Sequence, residues 1–141
     1  MEFFCSVLLC DGNFEFYPFL FVFNRRNRMK IFVSYTVRDN ELSRAVLEQL
    51  SIRLKKFGTV YTDLIDNNSE HKQERVVSEL DSSDIVLLIE SSGTYSSPWV
   101  KFEIERAASK GIKVYPVPYQ RVMNFLTFDS SLKDLISNST F

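Results

Sequence analysis

Short apolar runs alternate with amphipathic stretches along most of this chain. Residues 30–35, KIFVSY, are mostly β-branched and aromatic, as in a strand buried within a sheet. Leu42, Val46, Leu50 and Leu54 then recur every four residues, with Ala45 and Phe57 nearby and Arg44, Glu48, Arg53 and Lys55 pointing elsewhere. That period predicts a helix, with Asp39 available as its cap and Gly58 as its stop. TVYTDL (59–64) predicts a second strand, IDNNSEH a polar loop, and residues 70–82 a weaker helix whose apolar side is Val76, Val77 and Leu80. DIVLLI (84–89) predicts a strand covered on both faces. Residues 98–110 predict a helix entered through Ser97 as cap and Pro98 at the first position, where no amide hydrogen is needed. Its stripe of Val100, Ile104, Ala107 and Ala108 is expected to pack on the sheet, and IKVYPV (112–117) predicts a fourth strand. Beyond Pro118 the pattern blurs. VMNFLTF (122–128) reads as a short fifth strand or edge segment, and SSLKDLIS (130–137) as a last helix with Leu132, Leu135 and Ile136 inward.

Strands alternating with helices of these lengths imply right-handed βαβ units and a parallel sheet covered on both faces. The expected fold is an α/β, flavodoxin-like three-layer sandwich with a four- to five-stranded parallel sheet, occupying residues 29–141. Residues 1–28 differ in character. They are rich in phenylalanine, are broken by Asp11-Gly12-Asn13, and have apolar runs too short to span a bilayer. Their basic cluster, Arg25, Arg26 and Arg28, follows the apolar run, the reverse of the order in a secretory signal. They read as an N-terminal extension outside the working domain; the alternative is an anchor to a membrane surface or a partner.

Charge and composition narrow the function classes. The 141 residues carry 17 bases against 18 acids, for a net charge of -1, with no basic stripe, which disfavours nucleic acid as partner. One histidine, His71, and two cysteines, Cys5 and Cys10, are too few for a structural zinc site or a disulfide framework. No metal site or resident cofactor is expected, and the cysteines suit free thiols in a reducing, cytoplasmic setting. None of the four glycines has the spacing of a phosphate-cradling loop, and His71 has no nucleophile arranged with it.

Ligands of open parallel sheets bind beyond the carboxyl ends of the strands. At that edge the first strand ends in Ser34-Tyr35-Thr36, followed by Arg38 and Asp39, and the second in Thr62-Asp63. The third ends in Glu90-Ser91-Ser92 before the serine-rich loop to Ser97. In the helix that follows, Trp99 and Glu103 are four apart and share a face distinct from the core stripe. A glutamate on an amphipathic helix ordinarily faces solvent, and Trp99 has a plain use in covering the sheet end, so position alone leaves both readings open.

These residues resemble those of the Toll/interleukin-1 receptor (TIR) domain family, in its bacterial stand-alone form, from Met29 to Pro118. IFVSYTVRDNELSRAVLEQL is similar to the family's first box, GTVYTDL to its second strand with Asp63 in the place of the family's aspartate, and SDIVLLIESSGTYSSPWVKFEIERAASKGIKVYPV to its third strand, serine-rich loop, tryptophan-led helix and fourth strand. The resemblance implies NAD as substrate, cleavage of its nicotinamide–ribose bond, and Glu103 as the catalytic residue. It also implies ADP-ribose or a cyclic ADP-ribose signal as product, in defence or cell-death signalling. Ser34, Tyr35, Arg38, Asp63, Ser92 and Trp99 are the candidates for holding substrate. Homo-oligomers through TIR–TIR contacts and a downstream effector protein are the expected partners. The loop LIDNNSEHKQ lacks the proline-glycine of receptor-type members, which bears on assembly through that loop. Two other readings stand beside the enzyme: a non-catalytic interaction module, and a nucleoside deoxyribosyltransferase-like enzyme, which ESSGTYSSPWVKFEIERA resembles faintly.

Overall fold

The structure is a computed structural model that describes residues 28–128 and 131–136. The expectation of an N-terminal extension therefore lies, but for Arg28, outside the described residues. Four strands form one parallel sheet: β1 (Lys30–Ser34), β2 (Thr59–Thr62), β3 (Ile85–Glu90) and β4 (Lys113–Pro118), in the order β2-β1-β3-β4. Between them run α1 (Arg44–Leu54), α2 (Asp63–Asp66), α3 (Lys72–Asp81) and α4 (Pro98–Ser109), and after β4 come α5 (Tyr119–Thr127) and α6 (Leu132–Ile136). None of these helices is long and apolar enough to cross a membrane.

Alternation along each strand sorts the core into two layers. Ile31, Val33, Leu87 and Ile89 pack with Leu47, Leu50 and Leu54 of α1, Val122 and Phe125 of α5, and Leu132 and Leu135 of α6. Phe32, Val86 and Leu88 pack on the other face with Val76 and Leu80 of α3 and Val100 and Ala107 of α4. Val86, Leu87, Leu88 and Ile89 of β3 are all fully buried, as a central parallel strand requires. The sheet is thus the middle of a three-layer sandwich. Ser34 follows Phe32 by two residues and so faces α4, a placement on which the site depends.

The structure corrects several local expectations. The cap of α1 is Ser43, whose Oγ accepts from the Val46 amide at 3.2 Å, and not Asp39. Gly58 ends the turn after α1 for lack of room: a Cβ there would stand 2.2 Å from the Met29 carbonyl oxygen. Ala108 is exposed, so the sheet-facing stripe of α4 is Val100, Ile104 and Ala107. The last two residues of the expected second strand, Asp63 and Leu64, join the start of the expected polar loop in the short helix α2, because the Asp66 carboxylate accepts from the Thr62 amide at 2.7 Å and the Tyr35 hydroxyl from the Leu64 amide at 2.8 Å.

The expected fifth strand is helix α5 instead, so the sheet has four strands among the described residues. Val122 and Phe125, three apart, are buried on one side of it. The Arg53 guanidinium, from α1, donates to the carbonyls of Phe125 at 2.9 Å, Phe128 at 2.5 Å and Leu126 at 3.3 Å, and lies over the Phe125 ring. A cation satisfying the last carbonyls favours a helix end, and nothing within VMNFLTF announces it.

Candidate active site

The strand order reverses between β1 and β3, the place where open α/β sheets hold ligands. There the carboxyl end of β1 and the amino end of α4 border a cleft of about 180 Å³. Its lining comes from Val33, Tyr35, Thr36 and Arg38 at the end of β1, Asp63 at the end of β2, and Ser97, Trp99 and Glu103 from the cap and first half of α4. Val37 adds an apolar edge, 42% exposed.

Helix α4 aims the acid. Ser97 caps it, its Oγ accepting from the Val100 amide at 3.3 Å, and Pro98 opens the first turn. Glu103 stands one turn past Trp99 on the same face. Its side chain is not solvated: Glu103 is 4% exposed, and the Ser34 hydroxyl donates to its Oε1 at 2.6 Å. No cation within the described residues forms an ion pair with it. Burial raises the Glu103 carboxyl from an ordinary 4.5 to about 7. The Ser34 hydrogen bond pulls it back down, the negative charge of Asp63 adds to the rise, and hydrogen bonding from Trp99 opposes it.

The walls are fixed by their own bonds. Tyr35 is braced by the Leu64 amide, and burial, with smaller contributions from Asp63 and Glu103, pushes its phenol up to about 12, so it stays neutral. Asp63 Oδ1 accepts from the Tyr61 hydroxyl at 3.0 Å and from the Asn67 amide nitrogen at 2.6 Å, which holds that carboxylate at the cleft edge. The Trp99 ring stacks on Phe102, centroids 5.1 Å apart, so the indole stands as a flat wall. Arg38 is exposed at the mouth, with no ion pair among the described residues.

Of the residues singled out from the sequence, the fold gathers Glu103, Tyr35, Arg38, Asp63 and Trp99 around one cleft. Ser34 acts from behind, through its bond to Glu103. Ser92 stands apart: it does not line the cleft, its side chain is exposed, and its amide donates to Glu41 Oε1 at 3.1 Å. Val33 and Val37 join the lining without a chemical signal in the sequence. Ser97 joins it too, and its signal was the serine-proline start of the helix.

A four-stranded parallel sheet in the order β2-β1-β3-β4, flanked by helices on both faces, with a tryptophan-led helix holding a buried glutamate over the switch point, is the architecture of a TIR-type domain. Residues 32–121 match the family model for the TIR-like domain of the Thoeris protein ThsB, and the chain belongs to that family. No curated protein matches the chain significantly.

Proposed function

We propose that this chain cleaves the nicotinamide–ribose bond of NAD, with Glu103 as the catalytic carboxylate, and that it does so in the defence role that its Thoeris-type family suggests. The observation that carries the reading is Glu103 itself: an acid with no cation partner among the described residues, buried at the wall of a cleft beside a flat indole. Such a group is costly to keep unless it does chemistry.

The chemistry follows from the bond. Nicotinamide departs neutral from a cationic precursor, so no strong general acid is needed. The ribose left behind is electron-poor at its anomeric carbon, and a carboxylate against it stabilises the transition state more than the ground state. Glu103 acts there as electrostatic partner or as transient nucleophile. A group near 7 is about half ionised at neutral pH, and the positive nicotinamide ring favours its ionised form on binding. Water exclusion by Trp99 and Tyr35 strengthens that attraction. A cleft of about 180 Å³ lies below the roughly 300–1,000 Å³ usual for small-molecule sites. It suits the nicotinamide riboside end of the dinucleotide, with the phosphates outside against Arg38. Water at the anomeric carbon gives ADP-ribose; a nucleophile of the same molecule gives a cyclic product, the kind of signal a downstream effector protein would read.

The small cleft also favours one other reading, a non-catalytic module that binds its own kind. Purified protein, at high concentration to favour self-association, is incubated with NAD while free nicotinamide is followed, beside a Glu103→Gln variant. Release by wild type alone supports the enzyme. Silence in both, with concentration-dependent association, supports the module, and base exchange in a parallel incubation with deoxynucleosides supports a transferase.

A further inference from the structure

Two loops far apart in sequence wall the cleft. One carries Thr36, Val37 and Arg38 out of β1; the other leads from β3 to Ser97, Trp99 and Glu103. The ladder between β1 and β3 ends at the pair Ser34 and Leu88, so beyond it backbone pairing no longer holds the two loops together. We propose that Asp39 is a positioning residue of this site: its carboxylate clasps the β1–α1 loop to the β3–α4 loop and so sets where Trp99 and Glu103 stand against β1.

Asp39 Oδ2 accepts from the Ser91 hydroxyl at 2.6 Å and from the Gly93 amide at 2.6 Å, across 52 and 54 residues of sequence. Its Oδ1 accepts from the Glu41 amide at 3.1 Å, which ties the carboxylate to its own loop. Asn40 completes that turn in the left-handed region, with φ 64°. Glu41 adds a second link, accepting from the Ser92 amide. Because Ser43 caps α1, the Asp39 carboxylate is free for the opposite loop.

The far side of the clasp is continuous with α4. The Ser91 amide donates to Thr94 Oγ1 at 2.7 Å, and Thr94, fully buried, donates in turn to the Ile89 carbonyl at 3.0 Å. The Ser97 amide donates to the Thr94 carbonyl, and Ser97 caps the helix that carries Glu103. Gly93 makes room for the contact: a Cβ there would lie 3.0 Å from Asp39 Oδ2. Three donors reach the carboxylate, and the Ser91 hydroxyl, ahead of the backbone amides, holds it below the usual range for an aspartate.

The clasp is open to test from both sides, since Asp39→Ala removes the acceptor and Gly93→Ala presses on it. Trp99 is the single tryptophan in the chain, so its fluorescence reports on the start of α4 without reference to any substrate. Both variants are expected to raise acrylamide quenching of Trp99 about two-fold while far-UV dichroism and a cooperative melt are kept. Ser91→Ala gives a smaller rise, Asp39→Asn recovers part of the wild-type behaviour, and Gln49→Ala, exposed on α1, leaves it unchanged.

The catalytic half of the proposal rests on the NAD-cleaving reading. In nicotinamide release, Asp39→Ala should lower kcat about 10–100-fold with KM within about three-fold, the pattern of misplaced groups and not of lost binding. Wild-type quenching in both Asp39→Ala and Gly93→Ala, even with a lowered melting temperature, overturns the proposal. Should either variant fail to fold, Ser91→Ala carries the same decision. If wild type releases no nicotinamide while quenching still rises in both variants, the enzymatic reading fails and the clasp stands.

Discussion

Helix α4 engages two carboxylates one turn apart, its own Glu103 and Asp81 of α3, and they are treated in opposite ways. Toward its C-terminus Arg106 grips Asp81 of α3 through two bonds, Nε to Oδ1 at 2.7 Å and Nη2 to Oδ2 at 2.8 Å, and the Asp81 carboxyl is held below its ordinary range, chiefly by that hydrogen bonding. One turn nearer the N-terminus Glu103 is buried with a hydroxyl and, among the described residues, no cation, and its carboxyl rises to about 7. The first arrangement ties two helices together at the surface. The second leaves a charge that the protein solvates poorly and that a cationic ligand would solvate better. On the proposed reading, the contrast separates a residue kept for the fold from one kept for a reaction.

The largest effects belong to Glu103. Its replacement by Gln is expected to lower the rate of nicotinamide release by about 10²–10³-fold, read by chromatography of the product. The same change should stabilise the protein at alkaline pH. A carboxyl raised in the folded state contributes stability below the unfolded value of 4.5 that is lost as pH climbs through about 7. The difference amounts to about 3 kcal/mol, so Glu103→Gln should melt higher than wild type at pH 8 and alike at pH 4. A variant that loses activity and also melts lower at pH 8 would break the contrast drawn here.

Next in size is the pH profile. If ionised Glu103 is the working form, kcat/KM rises with pH with a midpoint near 7. Ser34→Ala removes the donor that favours the charge, so the midpoint should move upward and the rate at pH 7 should fall about ten-fold. Smaller still is Tyr35→Phe, which leaves the Leu64 amide without its acceptor and should cost about 1–2 kcal/mol in denaturant unfolding. The smallest effect is expected one turn further along α4, at the Arg106–Asp81 pair. Asp81→Asn should cost about 0.5–1 kcal/mol, lessened by salt, and leave nicotinamide release as it was.

The strands and long helices were legible because their signals are local. KIFVS and IVLLI have the composition of buried strands, and the four-residue period from Leu42 to Leu54 holds whatever it packs against. The helix carrying Glu103 was legible for the same reason, through Ser97, Pro98 and the stripe of Val100, Ile104 and Ala107. VMNFLTF was not, since its apolar positions suit strand and helix alike, and Arg53, 72 residues away from Phe125, tips the balance. Asp39 misled in another way. Its spacing suited a cap, but four residues further on Ser43 took that place.

The sequence alone determined that Trp99 and Glu103 share one helical face and that parallel strands converge on the edge before it, because both follow from backbone periodicities that need no partner. Only the tertiary structure decided that this face meets Ser34, 69 residues away from Glu103, inside a cleft and not in water. Burial and charge environment are set by whichever groups from distant segments crowd around a side chain. No local pattern carries them, yet they turn an ordinary helix glutamate into one with a carboxyl near 7.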